Sequence, residues 1–145
     1  MISTANLVRL PAFIASSCDV NAIVDTPQGS QNKFKFDEQT GLFALGGAMP
    51  AGSVFPFEFG FIPSTAGGDG DPLDLLILLD APTFVGCLVR TRLIGVIAAE
   101  QTEKGKTERN DRLVAVAVQS RRHEHVRELR ELPKQLLAEV EHGEN

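Results

Sequence analysis

The middle of this chain consists of short apolar runs of strand length, separated by Gly, Pro and Asp. Runs of this length that are rich in β-branched and aromatic residues predict β-strands rather than helices. The runs are Ala22–Val24, Lys33–Phe36, Leu42–Leu45, Leu75–Leu79, Leu88–Val96 and Leu113–Val118. Several short strands must share a core, so the sequence predicts a sheet closed on itself or a sandwich.

The pattern becomes helical from about His123. Pro133 suits the first turn of a second helix, because a backbone N–H at that position has no partner within the helix. The apolar positions are Val126, Leu129 and Leu132 in the first helix and Leu136, Leu137 and Val140 in the second. We therefore predict an α+β fold that is mainly β, with about two helices at the C-terminal end.

Two polar segments frame the last predicted strand. Residues 103–111 are polar enough to predict an exposed loop, and residues 121–130 carry alternating charges typical of a solvated helix face. His123 and His125 lack the neighbouring Cys or carboxylate spacing of a metal site. We expect both histidines to be exposed to solvent and to have no chemical role.

Length and charge limit the classes of protein to consider. A chain of 145 residues can bury one core, and we expect a single domain over 1–145. The formal charge of −5 argues against a broad nucleic-acid interface. Cys18 and Cys87 have neither disulfide nor zinc spacing, which indicates thiols in a reducing compartment.

The N-terminal stretch contains an apolar patch that ends at Cys18. Arg9 and Pro11 interrupt it, and they leave an apolar core shorter than that of a signal peptide. The sequence also has no uncharged apolar run of the roughly 18 residues that a membrane span requires. We expect a cytoplasmic protein with no membrane partner.

An acidic segment precedes the predicted strand Leu75–Leu79. It places Asp69, Asp71 and Asp74 among glycines and a proline. Clustered carboxylates repel one another unless a cation joins them, and oxygen ligands of this kind suit Mg²⁺. The alternative is a solvated turn, since Asp, Gly and Pro are ordinary turn residues.

The surroundings of this acidic segment carry a family resemblance. Residues 54–63 read Val-Phe-Pro-Phe-Glu-Phe-Gly-Phe-Ile-Pro, and the acidic segment follows closely, with Leu-Ile-Gly-Val-Ile at 93–97 and Asp-Arg-Leu-Val-Ala-Val at 111–116. In that order and spacing, from about Val24 onward, the chain resembles the soluble, Mg²⁺-dependent inorganic pyrophosphatases of the single-domain β-barrel family. The resemblance implies a five-stranded closed OB-like barrel with the helices packed outside.

The resemblance also implies an activity and partners. The expected reaction is hydrolysis of inorganic pyrophosphate to two phosphates by a metal-activated water, with Mg²⁺ as cofactor and Mn²⁺ as a substitute. A homo-oligomer, either a trimer or a hexamer, is implied as well. The apolar faces of the C-terminal helices are candidate contacts between its subunits.

The same resemblance assigns roles to individual residues. Asp69 and Asp74 correspond to metal ligands, and Asp71 corresponds to the general base that acts on the attacking water. Asp25 stands where the family usually has a Glu that helps to hold a further metal ion, and its side chain is one methylene shorter. Lys33 corresponds to a phosphate-binding lysine. A further phosphate contact is expected from Arg112, which replaces a lysine of the family.

A second acidic pair depends on the register of a strand. Gln101 and Asn110 stand where the family has two Asp ligands, but Glu100 and Asp111 lie beside them. Because a step of one residue moves a side chain to the opposite face of a strand, these positions are not equivalent. Either Glu100 and Asp111 act as metal ligands, or the site lacks two charges.

Other departures concern the substrate contacts. Gly46 and Gly47 stand where the family commonly has a phosphate-clamping Arg, Phe59 replaces a Tyr, and Lys35 stands where a Glu is common. The sequence ends at Asn145, and we expect the family's C-terminal Tyr-Lys pair to be absent. These departures leave a second hypothesis open, namely a catalytically impaired homologue that acts as a metal-binding or assembly partner.

Overall fold

The computed structural model describes residues 11–13, 19–65, 72–98, 100–109 and 111–142, without the side chains of residues 100–103, 108, 109 and 142. These residues form nine strands and one α-helix. Their bounds are β1 Val20–Thr26, β2 Asn32–Asp37, β3 Leu42–Ala48, β4 Glu58–Ile62, β5 Leu73–Leu78, β6 Leu88–Ile97, β7 Glu100–Glu103, β8 Lys106–Arg109, β9 Arg112–Ala117 and α1 Lys134–His142.

Five of the strands close into a barrel in the order β1, β4, β5, β9, β6, and β6 pairs with β1 to complete it. Neighbouring strands are antiparallel except for β5 and β9, which are parallel. The other four strands form two hairpins outside the barrel, β2 with β3 and β7 with β8. The predicted five-stranded closed barrel is confirmed.

The barrel has apolar side chains on both faces of its central strands. Along β5, Leu75 and Ile77 belong to the cluster inside the barrel, whereas Leu76 and Leu78 belong to a cluster that includes residues of α1. A strand that is covered on both faces appears in the sequence as a continuous apolar run. This burial explains the uninterrupted run at 75–79.

The strand β4 was not among the predicted strands, because Glu58 and Gly60 interrupt its apolar pattern. Gly60 pairs with Val24 of β1, and a Cβ built on it would lie 2.3 Å from the carbonyl oxygen of Ile23. The two backbones therefore approach closely at a point where only glycine fits.

The loop predicted at 103–111 is wrong, because residues 103–109 belong to the β7–β8 hairpin, whereas the predicted exposure agrees with residues 104–107 and 111. Lys104 and Gly105 have φ values of 53° and 79°. Positive φ at two successive residues is the geometry of the tight turns that join antiparallel strands. The Lys-Gly pair between polar, β-branched neighbours was the available sequence signal.

The first predicted helix is also wrong. Residues 121–128 form turns, and only Leu129–Glu131 form a short 3-10 segment. The Arg92 guanidinium donates hydrogen bonds to the carbonyls of Val126 and His123, at 2.9 and 3.2 Å. The apolar positions of this segment are three residues apart, a spacing that suits successive turns as well as a helix.

His123 corrects a second expectation, because it is only 6% exposed, whereas the side chain of His125 is 94% exposed. The backbone N–H of His123 donates to the Ser120 hydroxyl at 3.1 Å. Burial lowers the pKa of His123, Asp80 opposes that shift, and the charge of Arg122 adds to it. His123 is therefore part of the packed C-terminal segment.

The helix α1 follows Pro133 as predicted. Leu136, Leu137 and Val140 pack in the apolar cluster between the helix and the barrel. Val140 is buried, and Leu136 and Leu137 are half-buried, so its own chain covers much of the apolar face of α1. A contact between subunits through this face stays a prediction. Within the part of the chain that the structure describes, α1 and the 3-10 segment fall short of the length and apolar character needed to span a membrane.

Candidate active site

Three of the predicted site residues that the structure describes lie near one another on the wall of the barrel. Asp25 lies near the end of β1, while Asp74 and Arg112 lie near the starts of β5 and β9. Because β5 and β9 are parallel and Leu75 pairs with Leu113, Asp74 and Arg112 occupy the same level of the sheet. Barrel closure therefore brings together residues that are far apart in the sequence.

A cavity of about 650 Å³ opens beside Asp74. The β2–β3 hairpin forms one side of it and contributes both Lys33 and Lys35. The remaining lining residues are Phe36, Asp37, Glu38, Ala44, Gly46, Phe61 and Pro72. The barrel side of the cavity thus carries the carboxylate of Asp74, and the hairpin side carries two ammonium groups together with the carboxylates of Asp37 and Glu38. Carboxylates beside ammonium groups suit a small anion that binds together with a cation.

Asp25 is the most perturbed acid in the site. Burial raises its pKa from 3.8 to about 7, and the negative charge of Asp74 contributes to the rise. Lys33 and hydrogen bonds from the backbone N–H and hydroxyl of Thr26 act in the opposite direction on this pKa. Asp25, Asp74 and Lys33 are therefore close enough to interact electrostatically.

These carboxylates fit a hard divalent cation. Asp25 and Asp74 supply only oxygen ligands, and a cation between them would oppose the two causes of the raised pKa of Asp25, namely burial and the charge of Asp74. Among the described residues, no three His, Cys, Asp or Glu side chains converge on one point. The predicted ligand Asp69 and the predicted base Asp71 lie outside the described residues.

Two further predicted ligands are only partly described. Asp111 is exposed and directly precedes β9. The backbone of Glu100 pairs with Arg109 in the β7–β8 hairpin, but its side chain is outside the described residues. Gln101 pairs with Glu108 in the same hairpin. Whether Glu100 and Asp111 act as ligands or the site lacks two charges is therefore not decided by the described residues, and their role stays a prediction.

Thr26 is a site residue that the sequence analysis missed. Its side chain is only 2% exposed, and its hydroxyl accepts a hydrogen bond from the Phe34 N–H at 3.1 Å. The same hydroxyl also bonds to the Asp25 carboxylate. Thr26 therefore connects the acid on β1 to the strand that carries Lys33 and Lys35. The residue type alone gave no signal, since Thr is common in strands.

Glu58 is a second residue that the sequence analysis missed. It is fully buried, and its carboxylate accepts hydrogen bonds from the Gln28 N–H at 2.7 Å, the Thr83 N–H at 3.1 Å and the Thr83 hydroxyl at 2.7 Å. Gln28 lies in the turn between β1 and β2. Glu58 thus fixes the connection between Asp25 and Lys33. The sequence did contain a signal for this role, since Glu58 is the one acid within the aromatic run at 54–63.

Arg112 contacts an aromatic ring of the neighbouring part of the barrel. Its guanidinium carbon lies 4.9 Å from the centroid of the Phe59 ring. A distance below about 6 Å is typical of a cation–π interaction. The position where a Tyr hydroxyl was expected therefore provides a ring face on which the arginine rests.

Comparison with known proteins gives one consistent result. Residues 22–142 match a single protein family, described as inorganic pyrophosphatase. Among similar sequences, the inorganic pyrophosphatase of Geobacillus stearothermophilus is 37% identical over 123 residues, which cover 85% of this chain and 72% of that protein. The inorganic pyrophosphatase of Synechocystis sp. is 33% identical over 135 residues, which cover 93% of this chain and 77% of that protein.

Solved structures agree with the sequence comparison. The crystal structure of inorganic pyrophosphatase from Thermus thermophilus superposes with a TM-score of 0.84 at 31% identity, and the match covers 95% of this chain and 77% of that one. An inorganic pyrophosphatase from Neisseria gonorrhoeae superposes with a TM-score of 0.80 at 29% identity, over 92% of this chain and 76% of that one.

Proposed function

This chain belongs to the inorganic pyrophosphatase family, and we propose that it hydrolyses inorganic pyrophosphate to two phosphates in a metal-dependent reaction. One observation of the site carries the proposal. Asp74, Lys33 and Lys35 line one cavity. Asp25 interacts electrostatically with both Asp74 and Lys33. Acids for a metal and cations for phosphate thus adjoin one small cavity.

The reaction requires positioning and charge neutralisation more than covalent chemistry by the protein. Lys33 donates hydrogen bonds to phosphate oxygens, and the guanidinium of Arg112 donates to a second phosphoryl group. Asp25 and Asp74, with Asp69, would hold Mg²⁺. That metal would supply positive charge against the phosphoryl oxygens and make water a better nucleophile.

Asp71 is the proposed general base. It would take the proton from the attacking water, and the carboxylates that lie close to it in the sequence, Asp69 and Asp74, would favour that role by raising its proton affinity. Asp111 and Glu100 are proposed as further metal ligands. Under this proposal the β7–β8 hairpin, which begins at Glu100, borders the site.

The second hypothesis, an impaired homologue that acts as a metal-binding or assembly partner, gains no specific support. The departure at Gly47 removes the expected arginine from β3, but Lys35 lies on the same hairpin and lines the cavity. The cavity therefore has a second cation next to Lys33. Hydrolysis of pyrophosphate is the function that this arrangement supports best.

The test is a phosphate-release assay with inorganic pyrophosphate, run with Mg²⁺, with Mn²⁺ and with excess chelator. We expect release only when metal is supplied. Asp74→Asn should abolish it, while Asp71→Asn should lower kcat by about 10²- to 10⁴-fold with a smaller loss of metal affinity. Glu139→Gln, on the exposed side of α1, is the matched control and should leave the rate unchanged.

Release at equal rates in excess chelator would contradict the metal dependence. Calorimetric titration with Mg²⁺ separates the two aspartates. If Asp71→Asn loses the metal as completely as Asp74→Asn, the proposed division between base and ligand is wrong.

We also propose Mg²⁺ as the physiological metal, a cytoplasmic location, one domain over 1–145 and a homo-oligomeric assembly, either a trimer or a hexamer. Oxygen-only ligands support Mg²⁺. Exposed apolar residues on β6, namely Leu88, Leu93 and Val96, support contacts between subunits. Sedimentation of a stable monomer at micromolar concentration would contradict the assembly.

A further inference from the structure

The contact between Arg112 and Phe59 joins two strands that are not neighbours in the barrel. Phe59 lies on β4 and Arg112 on β9, with β5 between them. Phe59 pairs with Leu76, which in turn pairs with Val114, so that all three belong to one face of the sheet. The arginine side chain must cross β5 to reach the ring, and Asp74 lies on the strand that it crosses.

The ring of Phe59 is itself held in place. Phe55, only 7% exposed, contacts it in a T-shaped geometry with centroids 5.5 Å apart and planes at 71°. The preceding residue on β4 is Glu58, whose buried carboxylate is fully engaged by Gln28 and Thr83. Backbone and ring are therefore both fixed, and the ring provides a rigid surface for the guanidinium.

A guanidinium that rests on a ring can still donate hydrogen bonds from its edge. Its flat face lies against the ring, and its N–H groups lie in the plane, at the edge through which guanidinium groups bind anions. An unsupported arginine loses much rotational freedom when it binds a phosphate, and a ring that restricts it beforehand reduces that loss. An ammonium group has no flat face and gains less from the same ring.

We propose that Phe59 is a positioning residue, which holds the Arg112 guanidinium so that its edge faces a phosphoryl group at the site next to Asp74. The inference rests on the proposed function, because it names the contact of that same site with phosphate. The ring acts through the arginine, and it makes no bond to the reacting atoms.

The first experiment observes the contact directly in the whole protein. The Nε–H resonance of Arg112 in a proton–nitrogen correlation spectrum should be displaced by the ring current of Phe59. We expect Phe59→Leu to remove that displacement and Phe59→Tyr to retain it. Should Phe59→Leu fail to fold, Phe59→Met, which also lacks a ring, takes its place.

The second experiment titrates inorganic phosphate into the metal-loaded protein and follows the same resonance. We expect Phe59→Leu to weaken phosphate binding about three- to tenfold, in line with a partly desolvated cation–π contact. In the Arg112→Gln background, Phe59→Leu should cause no further loss, measured by calorimetry. Phe59→Tyr should preserve the dependence on Arg112.

Each outcome decides the inference. If Phe59→Leu lowers phosphate affinity equally in the wild-type and Arg112→Gln backgrounds, the ring acts through packing alone and the proposal is wrong. An Arg112 Nε–H resonance that Phe59→Leu leaves unchanged would overturn it as well. So would a wild-type protein that does not bind phosphate. If the wild-type protein binds phosphate with the expected pattern and yet releases none from pyrophosphate, the proposed function fails and this inference stands.

Discussion

The buried hydroxyl of Thr26 accepts a hydrogen bond from the backbone N–H of Phe34 at 3.1 Å, and it thereby ties the end of β1 to β2. Asp25 precedes Thr26 and Lys33 precedes Phe34, so this one contact sets the acid and the lysine of the proposed site side by side. The Asp25 carboxylate also receives hydrogen bonds from Thr26.

Replacement of this hydroxyl tests its role. Thr26→Val keeps the branched shape but leaves the Phe34 N–H without a partner, so we expect a loss of about 1–3 kcal/mol in the free energy of unfolding. Mg²⁺ affinity, measured by calorimetry, should fall as well. Thr26→Ser keeps the hydroxyl and is the matched control. Equal metal affinity in the two variants would show that the hydroxyl does not organise the site.

The raised pKa of Asp25 predicts a dependence of stability on pH in the absence of metal. The pKa is about 7 in the folded protein and 3.8 in the unfolded chain, so between these values the folded state binds more protons than the unfolded state. The free energy of unfolding should therefore fall as pH rises from about 4 to 7. After allowance for solvent screening, the expected loss is on the order of 2 kcal/mol.

Urea unfolding of Asp25→Asn in chelator checks this prediction. The variant should lack this part of the pH dependence, and at pH 8 it should be more stable than the wild-type protein. Saturating Mg²⁺ should reverse that order, because the metal stabilises the ionised carboxylate. The prediction is wrong if the free energy of unfolding of the wild-type protein rises between pH 4 and 7 relative to that of Asp25→Asn.

Glu58 should contribute strongly to stability although it is a buried acid. Glu58→Ala would leave the donors of Gln28 and Thr83 without a buried acceptor, and we expect a loss of about 3–5 kcal/mol in chemical unfolding. Glu58→Gln keeps the shape and one acceptor oxygen and should lose less. Glu139→Ala on α1 is an exposed control, and a comparable loss there would contradict the role of the buried carboxylate.

Lys35 should contribute to pyrophosphate binding, because it lines the cavity beside Lys33. We expect Lys35→Gln to raise KM about three- to tenfold, since charge-assisted hydrogen bonds to phosphate are among the stronger polar contacts. Steady-state kinetics at saturating Mg²⁺ measure this change. Lys134→Gln, at the exposed start of α1, removes the same charge elsewhere. If both variants change KM equally, the effect is one of net charge and not of the cavity.

Local patterns in the sequence were sufficient for much of the fold. The apolar runs predicted six of the nine strands, because burial on one or both faces leaves a periodic or continuous apolar pattern in the chain itself. Pro133 and the apolar residues after it predicted α1. The apolar residues at 126–132 led to the wrong prediction of a helix, because a spacing of three residues fits turns as well as helices. The hydrogen bonds from Arg92 to the carbonyls of His123 and Val126 favour the turns.

The acids of the site could be chosen from the sequence, but their environment could not. The family resemblance predicts Asp25 and Asp74 as metal ligands, whereas the high pKa of Asp25 arises from burial and from Asp74 on another strand. Glu58 and Gly60 interrupt an apolar pattern in the sequence. The structure explains Glu58 by the hydrogen bonds that residues 28 and 83 donate to it, and Gly60 by the close approach of the Ile23 carbonyl. Patterns along the chain record which residues are buried, and closure of the barrel alone decides which of them meet.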